Sequence, residues 1–503
     1  MAPTFFSLKL HHCKATKKVG VCTVYAYLNL DNSLLFDVFR VSEIPGFVDL
    51  LEYTLDLIGL KNTGTKSYYH KRDFARNFLA NIYVSERLNR PIAISRNKND
   101  WVMMKRYHQL YLSYRAMDDI FNRFRKANLI MVYDGFKYPT YNLMTRFHAE
   151  DKLLKIFERF VPIIESIPVY EDKDFLILHK SKRLADYEDT ERTIRMRTEL
   201  ENYNNYISEH DFSIEVNNLS LNLSTLLWEY RMKGLLTFNM SNIMVIPQYY
   251  NITHNHHTHT ITKYKLINIE SNQPVDYLKI CMGRVKSSRI FNENFLNGGR
   301  FYKSVVQLFG KEDRKGIQIN GSPVTELDYS SLHPRMCYNL KGLEYNGDCY
   351  DAISESPEER AYMKIIVLSA INCRKSQLKN FGNTVNWEIH KRNKKVLASS
   401  NPRKENLLNG LTFETVTKYL ERAKKYHSPI ADCMFSRNGK GIKLQYLDST
   451  IMNGILQDCL HEGIPALPVH DSLVASAKHK DFVHTSMVEN YQKVMNGYTP
   501  IIK

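Results

Sequence analysis

The sequence contains no Cys-x-x-Cys pair: Cys13, Cys22, Cys281, Cys337, Cys349, Cys373, Cys433 and Cys459 are scattered singly. That spacing excludes the thiolate clusters of zinc ribbons and the frameworks of small disulfide-stapled domains, and it reads as reduced thiols. No apolar run reaches the roughly 18 residues that a membrane-spanning helix needs, and no cleavable apolar signal opens the chain. The expectation is an intracellular, cytoplasmic protein with no membrane partner. Negative charge is also scarce, with 53 Asp and Glu against 69 Lys and Arg for a formal charge of +16. A surplus of that size points to a polyanion, most simply nucleic acid, although solvated lysine faces give the same sum.

What is present describes an ordinary globular protein, 43% hydrophobic and 12% aromatic over 503 residues. That length exceeds one hydrophobic core, so two to four domains are expected. The 32 tyrosines, beside many Asn and Lys, reflect the bias of the coding genome and carry no function.

Residues 1–60 mix strand-like runs, such as Gly20 to Tyr27, with a predicted helix over Ile44 to Ile58. From Tyr69 to Phe160 the apolar spacing becomes helical, and Tyr111, Met117, Ile120, Phe121 and Phe124 share a face. That face is followed by extended Asn128-Leu129-Ile130 and a turn at Asp134-Gly135. Helix, strand, turn and second strand is the order of a winged-helix unit, which would set Arg123, Arg125, Lys126, Lys137 and Arg146 near a nucleic-acid backbone. A plain helical bundle with a basic solvent face fits the same residues. Lys182 to Asn205 reads as a second charged, solvated helix. His254, His256, His257 and His259 lack a Cys or carboxylate framework and read as an exposed loop or strand rather than a metal site.

The chemistry concentrates in two segments. Ile319 to Met336 reads as a turn at Asn320-Gly321, a strand over Val324 to Leu327, Asp328 at its end, and a helix from near Ser330. Lys443 to His461 reads as a helix with Leu444, Leu447, Ile451, Ile455 and Leu456 on its apolar side. Two apolar extended runs then meet across His470-Asp471-Ser472, as in a hairpin with a carboxylate at its tip. Two strand-end carboxylates far apart in sequence suit two-metal phosphoryl transfer, with Asp328 and Asp471 as the ligands.

These segments resemble the family A DNA polymerases and the related single-subunit phage-type RNA polymerases. Asp328-Tyr329-Ser330-Ser331-Leu332-His333-Pro334-Arg335 is similar to the first palm motif, Asp-Tyr-Ser-Gln-Ile-Glu-Leu-Arg, and Val469-His470-Asp471-Ser472 to the last, Val-His-Asp-Glu. The family's fingers helix carries Arg, Lys, an aromatic residue and Tyr at steps of four, where this chain has Arg360, Lys364, Leu368 and Asn372. Steps of four keep these residues on one helical face, with Arg360 and Lys364 on the triphosphate and Leu368 and Asn372 beside the base. The resemblance spans about residues 285–500, and that half of the chain, including Gly298-Gly299-Arg300-Phe301-Tyr302, also resembles uncharacterised plasmid and phage proteins.

The expected fold is α+β: the residue pattern gives a small α/β segment (1–60), a helical, thumb-like or winged-helix nucleic-acid-binding region (61–230) and a connecting region (231–284), none of which aligns with the characterised polymerases, and the resemblance implies palm and fingers (285–503). It implies two Mg2+ ions, with Mn2+ as a substitute, and primer-template DNA or RNA and nucleoside triphosphates as partners. Tyr329, His333, Arg335 and His470 would join the fingers residues around the nucleotide, and Arg300, Lys303 and Gln445 would meet nucleic acid. Two positions disagree over the sugar. Ser472 matches the RNA polymerases, whereas His333 stands where DNA polymerases carry a sugar-gating Glu and RNA polymerases a Gly. A bulky ring there would obstruct a 2′-hydroxyl, so a DNA polymerase replicating a mobile element or phage is the first expectation. An RNA polymerase or primase on the same palm is the second, and a replication initiator with an inactive palm is the third. An inactive palm has no physical reason to keep both carboxylates. No Asp-x-Glu strand suited to a proofreading exonuclease is found.

Overall fold

The computed structural model describes residues 33–42, 46–101, 106–107, 112–135, 144–161, 173–217, 219–254, 257–397, 407–436 and 439–503. The run Gly20 to Tyr27, Lys137, and the side chains at His254, His256, His257 and His259 lie outside the described residues. The fold is mixed α+β, with two main hydrophobic cores.

The first core gathers residues from Phe47 to Val161, joined by Trp228, Met232 and Tyr264. Helix α1 (Phe47–Leu57) buries Phe47, Leu50, Leu51 and Leu55, the spacing of one helical face. Helix α2 (Lys66–Arg87) is capped by Thr65 and α3 (Tyr114–Lys126) by Ser113, each hydroxyl accepting a backbone N–H of the first turn. These helices, with α4 (Asp151–Phe160), enclose a sheet of order β1-β2-β4-β3, formed by β1 (Leu34–Leu35), β2 (Ile92–Ile94), β3 (Ile130–Tyr133) and β4 (Thr145–Ala149). Phe78 stacks on Phe147 at 4.9 Å and meets Phe124 edge-on at 5.0 Å. The expected order of helix, strand and strand is present in α3, β3 and β4, with β3 and β4 antiparallel. The region is less purely helical than its sequence suggests.

The second core runs from Leu200 to Met495. Its centre is an antiparallel sheet of order β16-β17-β15-β14-β7-β11-β8. The strands are β7 (Phe212–Asn217), β8 (Leu236–Thr237), β11 (Tyr277–Met282), β14 (Ile317–Ile319), β15 (Ser322–Asp328), β16 (Ala466–Val469) and β17 (Ser472–Ser476). The charged helix expected in the N-terminal region, α5 (Glu191–Ser208), packs here instead through Leu200, Tyr203 and Ile207, and α6 (Leu221–Met232) joins the two cores, with Leu223 and Leu227 in this one and Trp228 and Met232 in the first. The span 231–284 is likewise no mere connector. It supplies β8 and β11, and between them an antiparallel ribbon of β9 (Ile243–His254) and β10 (His257–Asn268). The expected boundaries at 60, 230 and 284 therefore do not coincide with the division between the cores.

A smaller sheet of order β13-β12-β5-β6 uses β5 (Leu176–Lys180), β6 (Arg183–Leu184), β12 (Ser288–Asn292) and β13 (Asn294–Tyr302). Short α7 (Lys311–Arg314) precedes β14, and α8 (Leu332–Asn339) follows β15. A layer of α9 (Pro357–Asn372), α10 (Phe381–Leu397) and α11 (Phe413–Tyr426) comes next. The long helix α12 (Lys440–His461) then packs on β13 and on the last helix, α13 (Lys480–Val494).

Candidate active site

Asp328 and Asp471 come together through strand pairing. Asn320 and Gly321 both take positive φ, 49° and 74°, the turn chemistry that folds β14 back into β15. β15 then pairs with β17 in a register that sets Asp328 opposite Ser472, the residue after Asp471. β16 and β17 are joined by His470-Asp471 alone, with His470 at φ 61°. Both carboxylates thus stand at the same end of neighbouring strands.

The electrostatics record that closeness. Burial, with the Asp471 carboxylate next in importance, pushes the Asp328 carboxyl up to about 6, while Lys311 and Lys364 act the other way. Lys311 Nζ lies 3.6 Å from Asp328 Oδ2. Lys364 is exposed on α9, which has Ser356 as its cap and Pro357 in its first turn. Among the described residues no group of three or more His, Cys, Asp or Glu is assembled as a metal site. The pair still fits hard divalent cations: two oxygen-donor side chains whose mutual repulsion raises a pKa are short of positive charge.

The residues expected around a nucleotide divide. Lys364, Leu368 and Asn372 lie on the exposed or half-exposed side of α9. Asn372 also fits tightly against α12, since a Cβ on Gly441 would come within 2.1 Å of its Oδ1. Arg360 is committed elsewhere: its guanidinium meets Asp348 at 2.6 Å and Asp351 at 2.8 Å, which corrects the expectation of a free phosphate grip. Tyr329 is buried, its hydroxyl donating to Met487 O at 2.7 Å. Arg335 is buried too and donates to the Tyr345 and Gly347 carbonyls. Both residues hold the fold. His470 is half-buried, its ring 5.9 Å from that of Tyr302.

His333 is also turned inward. Its Nε2 donates to Asp448 Oδ2 at 2.7 Å, with Arg300 Nη2 at 3.0 Å from the same nitrogen. Arg300 Nε reaches both Asp448 oxygens, at 3.1 and 2.9 Å. Gly299, at φ 84°, allows the approach: a Cβ there would sit 2.5 Å from the Phe291 ring and 3.0 Å from Ser449 Oγ on α12. Ser472, the other sugar marker, donates to Glu326 Oε1 at 2.7 Å, and Glu326 in turn accepts from Arg314 at 2.6 and 2.9 Å. Both markers are thus engaged in bonds between elements.

Of the expected nucleic-acid contacts, Arg123 binds Asp119 and the Ile58 and Gly59 carbonyls, tying α3 to α1. Arg125 is exposed and 3.6 Å from Asp134, and Lys126 is exposed. Arg146 donates to Met144 O. Lys303 Nζ lies 5.6 Å from the centre of the Phe39 ring, and Gln445 is half-buried on α12.

Sequence reasoning missed Asp448, Lys311 and the segment Ile501 to Lys503. That segment hydrogen-bonds along 328–330: Asp328 N to Lys503 O at 3.0 Å, Lys503 N to Asp328 O at 2.9 Å, and Ser330 N to Ile501 O at 2.8 Å. It also missed Asp348. Burial would raise the Asp348 carboxyl, but the Arg360 hydrogen bond and the Tyr350 and Asp351 N–H groups hold it down to about 2. A lowered folded-state value gives stability that is present above the ordinary Asp pKa near 4 and lost as pH falls towards 2. Acid titration of melting should therefore show a loss in that window that is smaller in Asp348→Asn. An unchanged acid limb would remove the assigned role.

No family model matches the sequence, and no curated protein does. Among solved structures the chain is similar to the POL domain of Pol1 from M. smegmatis, in complex with DNA primer-template and dNTP. The identity is 12% and the TM-score 0.25, over 44% of this chain and 47% of that one. The chain thus spans about half the length of the solved chain it matches. No helix among the described residues is long and apolar enough to cross a membrane.

Proposed function

We propose that this chain is a template-directed nucleotidyltransferase, a DNA polymerase in the first instance, with Asp328 and Asp471 as its metal-binding carboxylates. The observation that carries the reading is the placement of both carboxylates at one end of paired strands, within electrostatic reach of Lys364 on a helix of another layer. Two Mg2+ ions, or Mn2+, held by Asp328 and Asp471 would activate the attacking hydroxyl and neutralise the leaving pyrophosphate. Lys364 binds the triphosphate, while Leu368 and Asn372 lie along the same side of α9. Lys311 counters the carboxylate charge. The segment Ile501 to Lys503 fixes the backbone of Asp328 through its hydrogen bonds.

The lobe around α3 supplies the nucleic-acid hold in this reading. An open cleft of about 780 Å³ between the end of α1 and α3 is lined by Arg115, Asn122, Arg123 and Lys126 together with Asp118 and Asp119. Asp118 is paired with Arg96, and Asp119 with Lys71 and Arg123, so the cations are in excess there. An RNA polymerase on the same site is the second reading, favoured by the engagement of His333 with Asp448, which leaves no observed ring over a sugar.

Primer extension by the purified chain, on DNA and RNA templates with dNTP or NTP, tests the proposal. Incorporation that needs a divalent cation and follows the template supports it, and dNTP over NTP supports the DNA-polymerase form. Charge reversal at Arg125 and Lys126, read as template affinity against salt, tests the lobe.

The fingers layer yields a paired prediction. Lys364→Ala should raise the nucleotide KM about tenfold or more, as loss of a charge-assisted phosphate contact worth roughly 1.5–3 kcal/mol, and leave melting unchanged. Arg360→Ala should lower melting and leave KM near wild type. Single-nucleotide kinetics beside melting curves read the split, and the reverse pattern would return Arg360 to the triphosphate.

A further inference from the structure

The chain has three tryptophans, of which Trp101 and Trp228 are buried. Trp387, on α10, is 58% exposed, and Phe413, at the start of α11, is 67% exposed. Neither ring serves the core, which α10 meets through Phe381, Val385 and Ile389 on its other side. The two rings stand on adjoining helices that are tied together beside Trp387. Asn386, just before Trp387, bonds the segment entering α11 in both directions: its Nδ2 donates to Leu411 O at 2.9 Å and its Oδ1 accepts from Leu411 N at 2.8 Å. Phe413 lies over Gly382, whose missing Cβ would sit 3.4 Å from the Phe413 ring. One turn beyond Trp387, Lys391 Nζ stands 4.9 Å from its ring centre.

Positive charge predominates on the stretch that carries Trp387, while Glu414 follows Phe413. Between residues 374 and 397 the sequence places Arg374, Lys375, Lys379, Lys391 and Arg392, with Lys394 and Lys395, against Glu388 alone. Glu388 is 3.8 Å from Lys391. Exposed flat rings framed by cations suit a ligand that offers aromatic faces and phosphates alternately along its length. In single-stranded nucleic acid both are accessible, whereas a duplex hides its base faces in the stack. A partner protein would need a matching run of acids, whereas a nucleic-acid strand carries a phosphate at every step, one of which could draw Lys391 off the ring.

We propose that Trp387 and Phe413 form a stacking platform for single-stranded nucleic acid, with Lys391 and the neighbouring basic residues taking its phosphates. Calling the bound strand the unpaired template rests on the polymerase reading above; the binding surface itself does not. α10 follows α9 through the short turn Lys375–Asn380, so the platform belongs to the layer that carries Lys364.

The test uses the full chain and its own fluorescence, because Trp387 is the exposed emitter. A short oligothymidylate should quench the solvent-exposed, red-edge emission, with an affinity that falls as salt rises, and a duplex of equal length should quench it weakly. By anisotropy of labelled oligothymidylate, Trp387→Ala and Phe413→Ala should each weaken binding roughly tenfold with unchanged melting, while Trp387→Phe retains most of the affinity. Asp328→Asn should bind oligothymidylate as the wild type does, so an inactive polymerase site and an absent platform give different results. Wild-type affinity in the Trp387→Ala, Phe413→Ala double variant would overturn the proposal. So would equal quenching by duplex, or a concentration-dependent dimer abolished by that double variant.

Discussion

Asp328→Asn and Asp471→Asn are each expected to reduce nucleotide incorporation by about three orders of magnitude or more while the chain stays folded. Each amide keeps the shape of the side chain but removes the anionic oxygen that a divalent cation requires, and such an ion is worth several kcal/mol to a phosphoryl transition state. The stability effect should run the opposite way at Asp328. Its folded-state pKa is raised to about 6, first by burial and then by Asp471, so the folded chain holds this proton more tightly than the unfolded chain. That contribution is complete below the ordinary Asp pKa near 4 and is lost as pH rises through about 6, leaving an ionised group that costs stability at neutral pH. After a discount for the third of the side chain still open to solvent, the cost is about 1–2 kcal/mol. In the metal-free chain at neutral pH, Asp328→Asn should therefore melt at or above the wild-type temperature. Primer extension and melting on the same preparations decide the matter: a variant with normal melting and near wild-type incorporation would end the role of that carboxylate.

What the sequence made legible here is local. The turn at Asn320-Gly321, the strand ending at Asp328, the helix ahead of the hairpin and the hairpin at His470-Asp471 are each set by neighbours within about ten residues, and each is present. Their meeting is not local, and only the order of the motifs pointed to it. Arg360 shows the limit of spacing arguments. Steps of four residues placed it on the face of Lys364, but its partner, Asp348, is reached only because the chain after α8 folds back on the start of α9. Of the first core's sheet only the β3–β4 pair was expected, because β1 and β2 run to two and three residues, too short for a period of two to register. Helix α5 read as solvated because Arg197 lies among acids, whereas its guanidinium meets Asp174 at 3.0 Å and Asp189 at 2.6 Å while Leu200 and Tyr203 face the core. Asp448 left a readable trace: it interrupts the apolar stripe of Leu444, Leu447, Ile451 and Ile455 on α12, where a carboxylate needs a buried partner.

Asp448→Ala is expected to destabilise the chain by about 3–5 kcal/mol, the usual cost of breaking a buried ion pair from one side. Asp448 is 2% exposed and receives Arg300 and His333 together, so its loss strands two donors on separate elements, β13 and α8. Against the burial that would lower it, Asp448 raises the Arg300 pKa, and Asp471 adds to the effect, so the guanidinium also lies in the field of the proposed active site. Asp448→Asn keeps an acceptor of the same shape and should lose less than half as much. His333→Ala removes one donor and leaves the Arg300–Asp448 pair intact, so a smaller loss is expected. The same variants separate two roles for the ring. Held against Asp448, His333 braces α8 against α12, and His333→Gly should then change melting while leaving the dNTP to NTP ratio within a few-fold of wild type. A gate would behave otherwise: a ratio that collapses in His333→Gly, by the roughly 1–3 kcal/mol of a small pocket discrimination, would mean that the ring leaves Asp448 to meet the sugar when nucleotide binds. Competitive incorporation by wild type, His333→Gly and Asp448→Asn distinguishes the two, because a brace leaves both variants with the sugar choice of the wild type, whereas a gate makes only the first lose its preference.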